Sequence, residues 1–368
     1  MTIAIYIVAE MISMIFLHLA QKYRNNSKRK KGKIKVSTIL IVLSILPLIF
    51  LIGFRALDVG VDTERYSQAF YRTINNTLTP ADEKWLGIGY ILINKLVGHL
   101  FGNNYIIVNL LIGSMTIGFF YKAFWDNSKM PTLSLYIFIS TCLYYQTFNQ
   151  SRQMLAIAII LYSMKYIKER NLIKYIITVL LATSIHNSAI IMLPFYYIAN
   201  MKLSKKNILI YIAICIFSYF SFDIILKLIN ETSYGQIYQT TSYYKSASSS
   251  IINLFVRVVM LIGCILLYKK NIAKDKEEQY LYNMIIWCTL FQVLTLKMYI
   301  LGRITTYFFV AYLLLIPNTI SKINISRKNK CVILFMVLIF FMIYHYVYFN
   351  SSSAAAGYDT YKFIFLGI

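Results

Sequence analysis

Long apolar runs alternate with short polar segments along the whole chain. The runs cover about 2–20, 36–54, 104–123, 132–149, 152–168, 172–185, 187–201, 207–226, 251–268, 280–296, 300–319 and 331–349. A bilayer core needs roughly 20 apolar residues per helical span, and backbone polar groups inside it must be hydrogen-bonded internally. The runs lack the alternation typical of barrel strands. The pattern therefore predicts an all-α, polytopic membrane protein with about twelve transmembrane or half-membrane helices in a single membrane domain, 1–368.

Basic residues lie in short clusters between these runs. The chain has a net charge of +23, which on its own would be compatible with nucleic-acid binding, yet only 14% of its residues are charged. Clusters that flank apolar runs are typical of cytoplasmic loops. They occupy 22–35, 165–174, 202–206, 269–278 and 321–330. With these clusters inside, twelve segments place both termini outside.

One apolar block, 172–201, lies between two clusters that should both face the cytoplasm. A single helix would put one cluster on the wrong side. We therefore predict a break at the sequence SIHNS, so that the block forms a hairpin whose tip, near His186, approaches the outer face.

This topology leaves three outer segments. The first, 55–103, contains WLGIGYILINKLVGHLFG, for which an interfacial or re-entrant helix is expected. The second, 227–250, includes the tyrosine-rich YGQIYQTTSYYKS, a weak candidate for an acceptor-sugar site. The third is a tail over 350–368.

The cysteines and most histidines carry no sign of chemistry. The five cysteines lie in apolar segments without metal-ligand spacing, which predicts packing roles, no disulfide and no metal site. The first apolar run has neither a preceding basic residue nor a small-residue cleavage site, so a retained helix is expected. We interpret His18, His99 and His345 as structural.

Arginine is concentrated on the predicted outer side. Positive-inside charge requires no particular cation, whereas bidentate binding of phosphate or carboxylate favours the planar guanidinium. Three of the outer arginines, Arg152, Arg257 and Arg303, begin or interrupt apolar runs, where a charge is costly unless it faces a cavity or a partner. The alternative is that their side chains extend to the lipid headgroups by snorkelling. Six of the ten arginines lie outside: Arg55, Arg65, Arg72, Arg152, Arg257 and Arg303.

Candidate bases lie near these arginines. Asp62 follows Gly60, which allows a bend, and a carboxylate beside arginines can remain ionised. His186, at the predicted break, could donate a hydrogen bond or carry a proton. The alternatives are a solvated acidic loop and a helix cap. Secondary candidates are Asp58, Glu64, Arg65, Tyr66 and Gln153.

Four motifs together resemble a known family. The sequences GFRALDVGVDTERY, FNQSRQMLAIAI, IHNSAIIMLP and LGRITTYF, in that order, are similar to the EpsG branch of the Wzy-type polysaccharide polymerases. The resemblance covers most of the chain, with the first helix and the tail contributing little.

The resemblance implies a GT-C-like fold with an outer-face cavity and a glycosyltransferase that joins undecaprenyl-diphosphate-linked oligosaccharide units. Such an enzyme acts at the outer face of the bacterial plasma membrane, for capsule or exopolysaccharide, beside a flippase and a chain-length regulator. Arg55, Arg152, Arg303 and then Arg257 are candidates to stabilise the diphosphate leaving group. Asp62, or else His186, would accept the acceptor proton. We expect no cofactor, no metal requirement and no nucleic acid.

Two other activities compete with this interpretation. A flippase of the same lipid-linked unit would also need an arginine-lined cavity, although transporters often have repeated halves, and no repeat is visible here. A membrane O-acyltransferase would suit a histidine-centred site, but its acyl donor arrives from the cytoplasm. A scaffold would not account for arginines within apolar runs.

Overall fold

The computed structural model describes residues 2–26, 32–224, 227, 251–268, 278–298 and 301–365. Within these ranges the chain is helical, apart from turns and one isolated antiparallel bridge between Arg55 and Phe363. The all-α prediction is therefore confirmed. The predicted loop 227–250 and its tyrosine-rich stretch lie outside the described residues, except for residue 227.

The helices follow one another with short connections. In chain order they are α1 (Thr2–Asn26), α2 (Gly32–Gly53), α3 (Thr63–Ile74), α4 (Pro80–Leu86), α5 (Ile88–Phe101), α6 (Tyr105–Asn127), α7 (Pro131–Ser140), α8 (Leu143–Asn149), α9 (Ser151–Lys168), α10 (Leu172–Ile185), a 3₁₀ helix (Asn187–Met192), α11 (Phe195–Asn200), α12 (Lys205–Phe220), α13 (Ile251–Tyr268), α14 (Gln279–Leu294), α15 (Gly302–Phe309), α16 (Tyr312–Lys322) and α17 (Arg327–Ala356).

Five described segments are long and apolar enough to cross a membrane. They are α1, α2, α6, the α15–α16 pair and α17. Helices α5, α7, α10 and α13 are apolar but shorter. The chain therefore has the character of a membrane-embedded protein, while the count of twelve spans and the GT-C-like arrangement stay predictions.

Several predicted runs are interrupted. The break at SIHNS is confirmed, since α10 ends at Ile185 and the 3₁₀ helix begins at Asn187. Run 132–149 also breaks, because Cys142 adopts φ 58°, a left-handed conformation that no α-helix continues. Run 187–201 is interrupted before Pro194, which lacks a backbone N–H.

The predicted outer segment 55–103 contains three helices. Pro80 occupies the first turn of α4, and Thr79 and Asp82 form a reciprocal capping box there. Gly87, with φ 78°, separates α4 from α5. The apolar helix expected within 85–102 is therefore α5; its depth in the membrane stays a prediction.

The last helix is longer than its apolar run. Helix α17 continues to Ala356, so the tail begins at Gly357 (φ 71°) rather than at residue 350. This tail pairs with the loop 54–62, which follows α2. Ala56 N donates to Lys362 O (2.9 Å) and Ile364 N to Phe54 O (3.0 Å).

The contacts divide the chain into two compact units. The first comprises 1–163, 176–190 and 320–368, and the second comprises 164–175 and 191–319. In the first unit α2 packs against α1 and α6, and α3 packs against α5. In the second unit α14 packs against α11, α12, α13 and α15. All five cysteines are free thiols.

The bend at Gly60 yields a stability prediction. Gly60 has φ 86°, and a Cβ there would lie 2.3 Å from the Phe148 carbonyl oxygen. Gly60→Ala should cost about 3 kcal/mol or more, because left-handed strain and overpacking add. Gly102→Ala is the control without crowding: its φ is 64° and its ψ −147°, with no atom within 4 Å, so backbone strain alone of about 1–3 kcal/mol is expected. Thermal unfolding in detergent measures both; equal losses in Tm would contradict the crowding.

Candidate functional site

The loop 54–62 is attached to the junction between α8 and α9. Asp62 N donates to Asn149 Oδ1 (2.9 Å). The Thr63 hydroxyl lies 3.1 Å from Phe148 O and 2.7 Å from Val59 O. The loop and the first turn of α3 are thus held against the end of α8.

Arg55 is fully buried beneath this loop. Its Nη1 donates to Ile52 O, its Nε lies 3.4 Å from Thr63 Oγ1, and its Nη2 lies 3.4 Å from Asn109 Oδ1. Burial lowers the pKa of this guanidinium, while nearby tyrosines, Tyr105 foremost, act in the opposite direction. Arg55 therefore supplies a desolvated positive charge close to the start of α3.

Arg152 is also buried, at 2% exposure, in the first turn of α9. Its Nη1 donates to the carbonyl oxygens of Trp85 (2.7 Å) and Leu86 (2.6 Å), which end α4. Its guanidinium carbon lies 4.4 Å from the Trp85 ring centroid and 5.2 Å from that of Tyr66. The exposed Arg65 approaches the same indole at 4.1 Å. We call Arg65, Tyr66, Trp85 and Arg152 the arginine–tryptophan cluster.

The break at His186 lies beside the arginine–tryptophan cluster. Asn187 Nδ2 donates to Lys84 O (3.0 Å). A Cβ at Gly87 would lie 2.8 Å from Ser184 O, so only glycine allows this close packing. His186 itself is half-buried. The end of α10 is thereby fixed against the α4–α5 connection, to which Arg152 also binds.

The remaining candidates near the loop have other contacts. Asp58 forms an ion pair with Lys362 (2.8 Å), and Glu64 accepts from Gln68 Nε2 (3.3 Å). Gln153 is buried at 2% exposure. Asp62 is half-buried, and its carboxylate does not cap its own helix.

An ion pair joins α3 to the start of α4. Arg72 Nη2 lies 3.0 Å from Asp82 Oδ1. Partial burial raises the pKa of Asp82, but hydrogen bonds from Thr79 and the charge of Arg72 outweigh it and hold the pKa below its usual value. The pair therefore joins α3 to the start of α4.

The other two candidate arginines belong to the second unit. Arg257, on α13, lies 3.6 Å from the ring centroid of Phe309, at the end of α15. Arg303 is half-buried in the first turn of α15. Along the helix axis these two ends of α15 are about 9 Å apart.

The structure thus brings together three of the six principal candidates, Arg55, Asp62 and Arg152, around the α8–α9 junction of the first unit. The segment around His186 contacts the same α4–α5 connection as Arg152. That all four arginines share one diphosphate site stays a prediction.

Sequence reasoning missed two functional candidates. The sequence places Trp85 only at the start of an apolar helix, because its cation contacts depend on residues far away in the chain.

The second is Glu10, in α1, which is buried at 8% exposure and accepts a hydrogen bond from Tyr145. A carboxylate within an apolar run is a visible signal, so Glu10 could have been identified. Near it, His345 Nδ1 lies 3.7 Å from Cys142 Sγ, in keeping with a packing role.

The candidate site around the α8–α9 junction combines three kinds of groups. A carboxylate can accept a proton, guanidinium groups can bind an anion, and a half-buried indole offers an aromatic face. Two buried donors here, Arg152 Nε and Asn109 Nδ2, have no acceptor among the described residues. Among those residues no group of three His, Cys, Asp or Glu side chains is placed to hold a metal ion.

Comparisons with known proteins point to one family. The model of the EpsG family matches residues 38–363. This match extends into the tail, to which the motifs alone assigned little weight. No curated protein and no solved structure matches the chain.

The contacts of Arg152 predict what a lysine would lose there. Arg152→Lys keeps the charge, but a lysine cannot bind two carbonyls and cover the indole at once. The free energy of unfolding should therefore fall by about 2 kcal/mol. Trp85 should become more accessible. Acrylamide quenching in a Trp125→Phe, Trp287→Phe background measures this.

Arg72→Lys is the matched control. Its pair with Asp82 is partly exposed, with side chains 37% and 19% accessible, so a change below about 1 kcal/mol is expected. If both lysine variants quench alike, the cluster does not position Trp85.

Proposed function

Because the chain belongs to the EpsG family, the family of Wzy-type polysaccharide polymerases, we propose that it joins oligosaccharide repeat units carried on undecaprenyl diphosphate. The reaction takes place at the outer face of the bacterial plasma membrane and serves capsule or exopolysaccharide synthesis. One observation carries the site assignment: two buried arginines, Arg55 and Arg152, lie against the same helix junction as Asp62.

The proposed reaction is a glycosyl transfer between two lipid-linked units. The bond between the anomeric carbon of the growing chain and its diphosphate oxygen breaks, and the diphosphate leaves with the electron pair. A hydroxyl oxygen of the next unit bonds to that carbon, and its proton passes to a base. Negative charge therefore develops on the leaving group, while the acceptor loses a proton.

The arginines suit the leaving group. Positive charges in a site with little water stabilise developing negative charge more strongly than the same charges in bulk water. Arg55 and Arg152 would act from buried positions, whereas Arg65, exposed on Trp85, can contact an anion directly. The donors of Arg152 Nε and Asn109 Nδ2 would gain an acceptor when the anion binds. The roles of Arg303 and Arg257, which belong to the second unit, stay predictions from the sequence.

Asp62 is the proposed base. It lies at the start of α3, one turn before Tyr66, whose ring Arg152 approaches at 5.2 Å. A carboxylate at hydrogen-bond distance from the acceptor hydroxyl can take its proton. His186, fixed against Lys84 and Gly87 through its neighbours, is the alternative base.

Extension of a purified substrate tests the reaction. Detergent-solubilised protein is mixed with the cognate undecaprenyl-diphosphate repeat unit and a chelator, without nucleotide sugar. We expect a ladder of longer lipid-linked glycans. If folded protein produced no ladder, the polymerase would be ruled out; a liposome translocation assay would then test the flippase, and acyl analysis of the glycan the acyltransferase.

The role of Asp62 has its own test. Asp62→Asn should lower kcat by about 10²- to 10⁴-fold with little change in KM, because only the proton transfer is lost. Asp126→Asn is the control, since Asp126 forms an exposed pair with Lys122 (2.9 Å) on α6. Wild-type kcat in Asp62→Asn, with His186→Gln reduced instead, would transfer the role to His186.

A further inference from the structure

An apolar groove runs along the first unit between α1 and α2. It has a volume of about 780 Å³ and an almost wholly apolar lining. On α1 the lining follows one stripe that includes Ala4, Val8 and Ile12. The second half of α2 forms the opposite side. The groove therefore lies in the half of this helix pair that contains the start of α1 and the end of α2.

The groove is accessible from outside the protein. Val8 is 56% exposed and Phe50 43%, although both are large apolar side chains on helices that can cross a membrane. In lipid such side chains contact hydrocarbon. The small side chain of Ala4 leaves part of the space open. An apolar chain from the bilayer can therefore enter the groove.

One end of the groove leads to the candidate site. Phe54 and Phe363 line that end, and the backbone of Phe363 is paired with that of Arg55. The neighbouring Lys362 has a 46% accessible side chain and contacts Asp58. Arg55, Lys362 and Asp58 together carry a net positive charge, so an amphiphile in the groove would have its anionic head beside them.

The basic cluster locates the groove within the membrane. Residues 22–35, which include the end of α1 and the start of α2, carry the charges expected at the cytoplasmic side. The groove lies at the opposite ends of both helices. A lipid in this groove would therefore belong to the outer leaflet, where the proposed reaction takes place.

From these observations we propose that the groove binds the isoprenoid chain of the lipid-diphosphate substrate, with its diphosphate directed to Arg55 and Lys362. This inference rests on the proposed function and adds the lipid-binding part of the site. Its occupant is the chain of the substrate rather than an acyl chain of the bulk membrane, because Phe363, which lines the end of the groove, is paired with Arg55 and adjoins the accessible Lys362.

Substitutions that fill the groove should weaken the binding of a donor with a long isoprenoid chain more than that of a donor with a short one. Val8→Trp and Ala4→Trp each place an indole in it at an exposed position. Each should raise the KM for the full-length isoprenoid donor about tenfold, because several buried methylene groups lose their contacts. The KM for a donor with a short isoprenoid chain should not change. Ile7→Trp is the matched control, at 48% exposure on the same helix but outside the groove.

A photo-crosslinking experiment provides a readout independent of activity. Wild-type protein in phosphatidylglycerol nanodiscs is irradiated with an isoprenyl diphosphate that carries a diazirine on its terminal unit. Labelling of α1 and α2, lost in both tryptophan fillers and retained in Ile7→Trp, is expected. Labelling elsewhere would overturn the groove assignment, as would equal labelling by a diazirine phosphatidylglycerol or unchanged KM values in both fillers.

These outcomes separate the two proposals. Polymer formation with labelling elsewhere would leave the polymerase in place and remove the groove. Specific labelling of the groove without polymer from either donor would remove the polymerase and leave a lipid-diphosphate site.

Discussion

The candidate site depends on the contacts that Thr63 and Gly60 make with the carbonyl oxygen of Phe148. The Thr63 hydroxyl lies 3.1 Å from this oxygen, and Gly60 approaches it more closely than any residue with a side chain could. Since Thr63 also neighbours the Nε of Arg55, the same contact fixes a buried guanidinium, the start of α3 and the end of α8. The loop, which has no regular secondary structure, acquires a defined conformation from it.

The arginines have two different relations to their surroundings. Arg55 and Arg152 are desolvated and bind carbonyl oxygens, so they fix the backbone as well as supply charge. Arg65 is exposed and supported by Trp85. Burial near partners reduces the cost of a charge within an apolar chain, which accounts for the occurrence of arginines at the ends of apolar runs better than snorkelling does in these two cases.

Much of the helical architecture could be predicted, because membrane insertion constrains the sequence strongly. The break near His186 follows from two basic clusters that must share one side, and the bend at Gly60 from the residue type. The break at Cys142 could not be predicted, since no proline or glycine interrupts that run. The place of Trp85 in the site could not be predicted, because it depends on contacts with Arg65 and Arg152 that only tertiary packing creates. Long-range contacts of this kind leave no periodic signal.

The pairing of the loop 54–62 with residues 356–364 joins segments from nearly opposite ends of the chain. During synthesis, α1 to α6 are made long before α17. The loop that carries Asp62 therefore lacks its pairing partner until the last helix has been made. The candidate site acquires its full set of backbone contacts only at the end of synthesis.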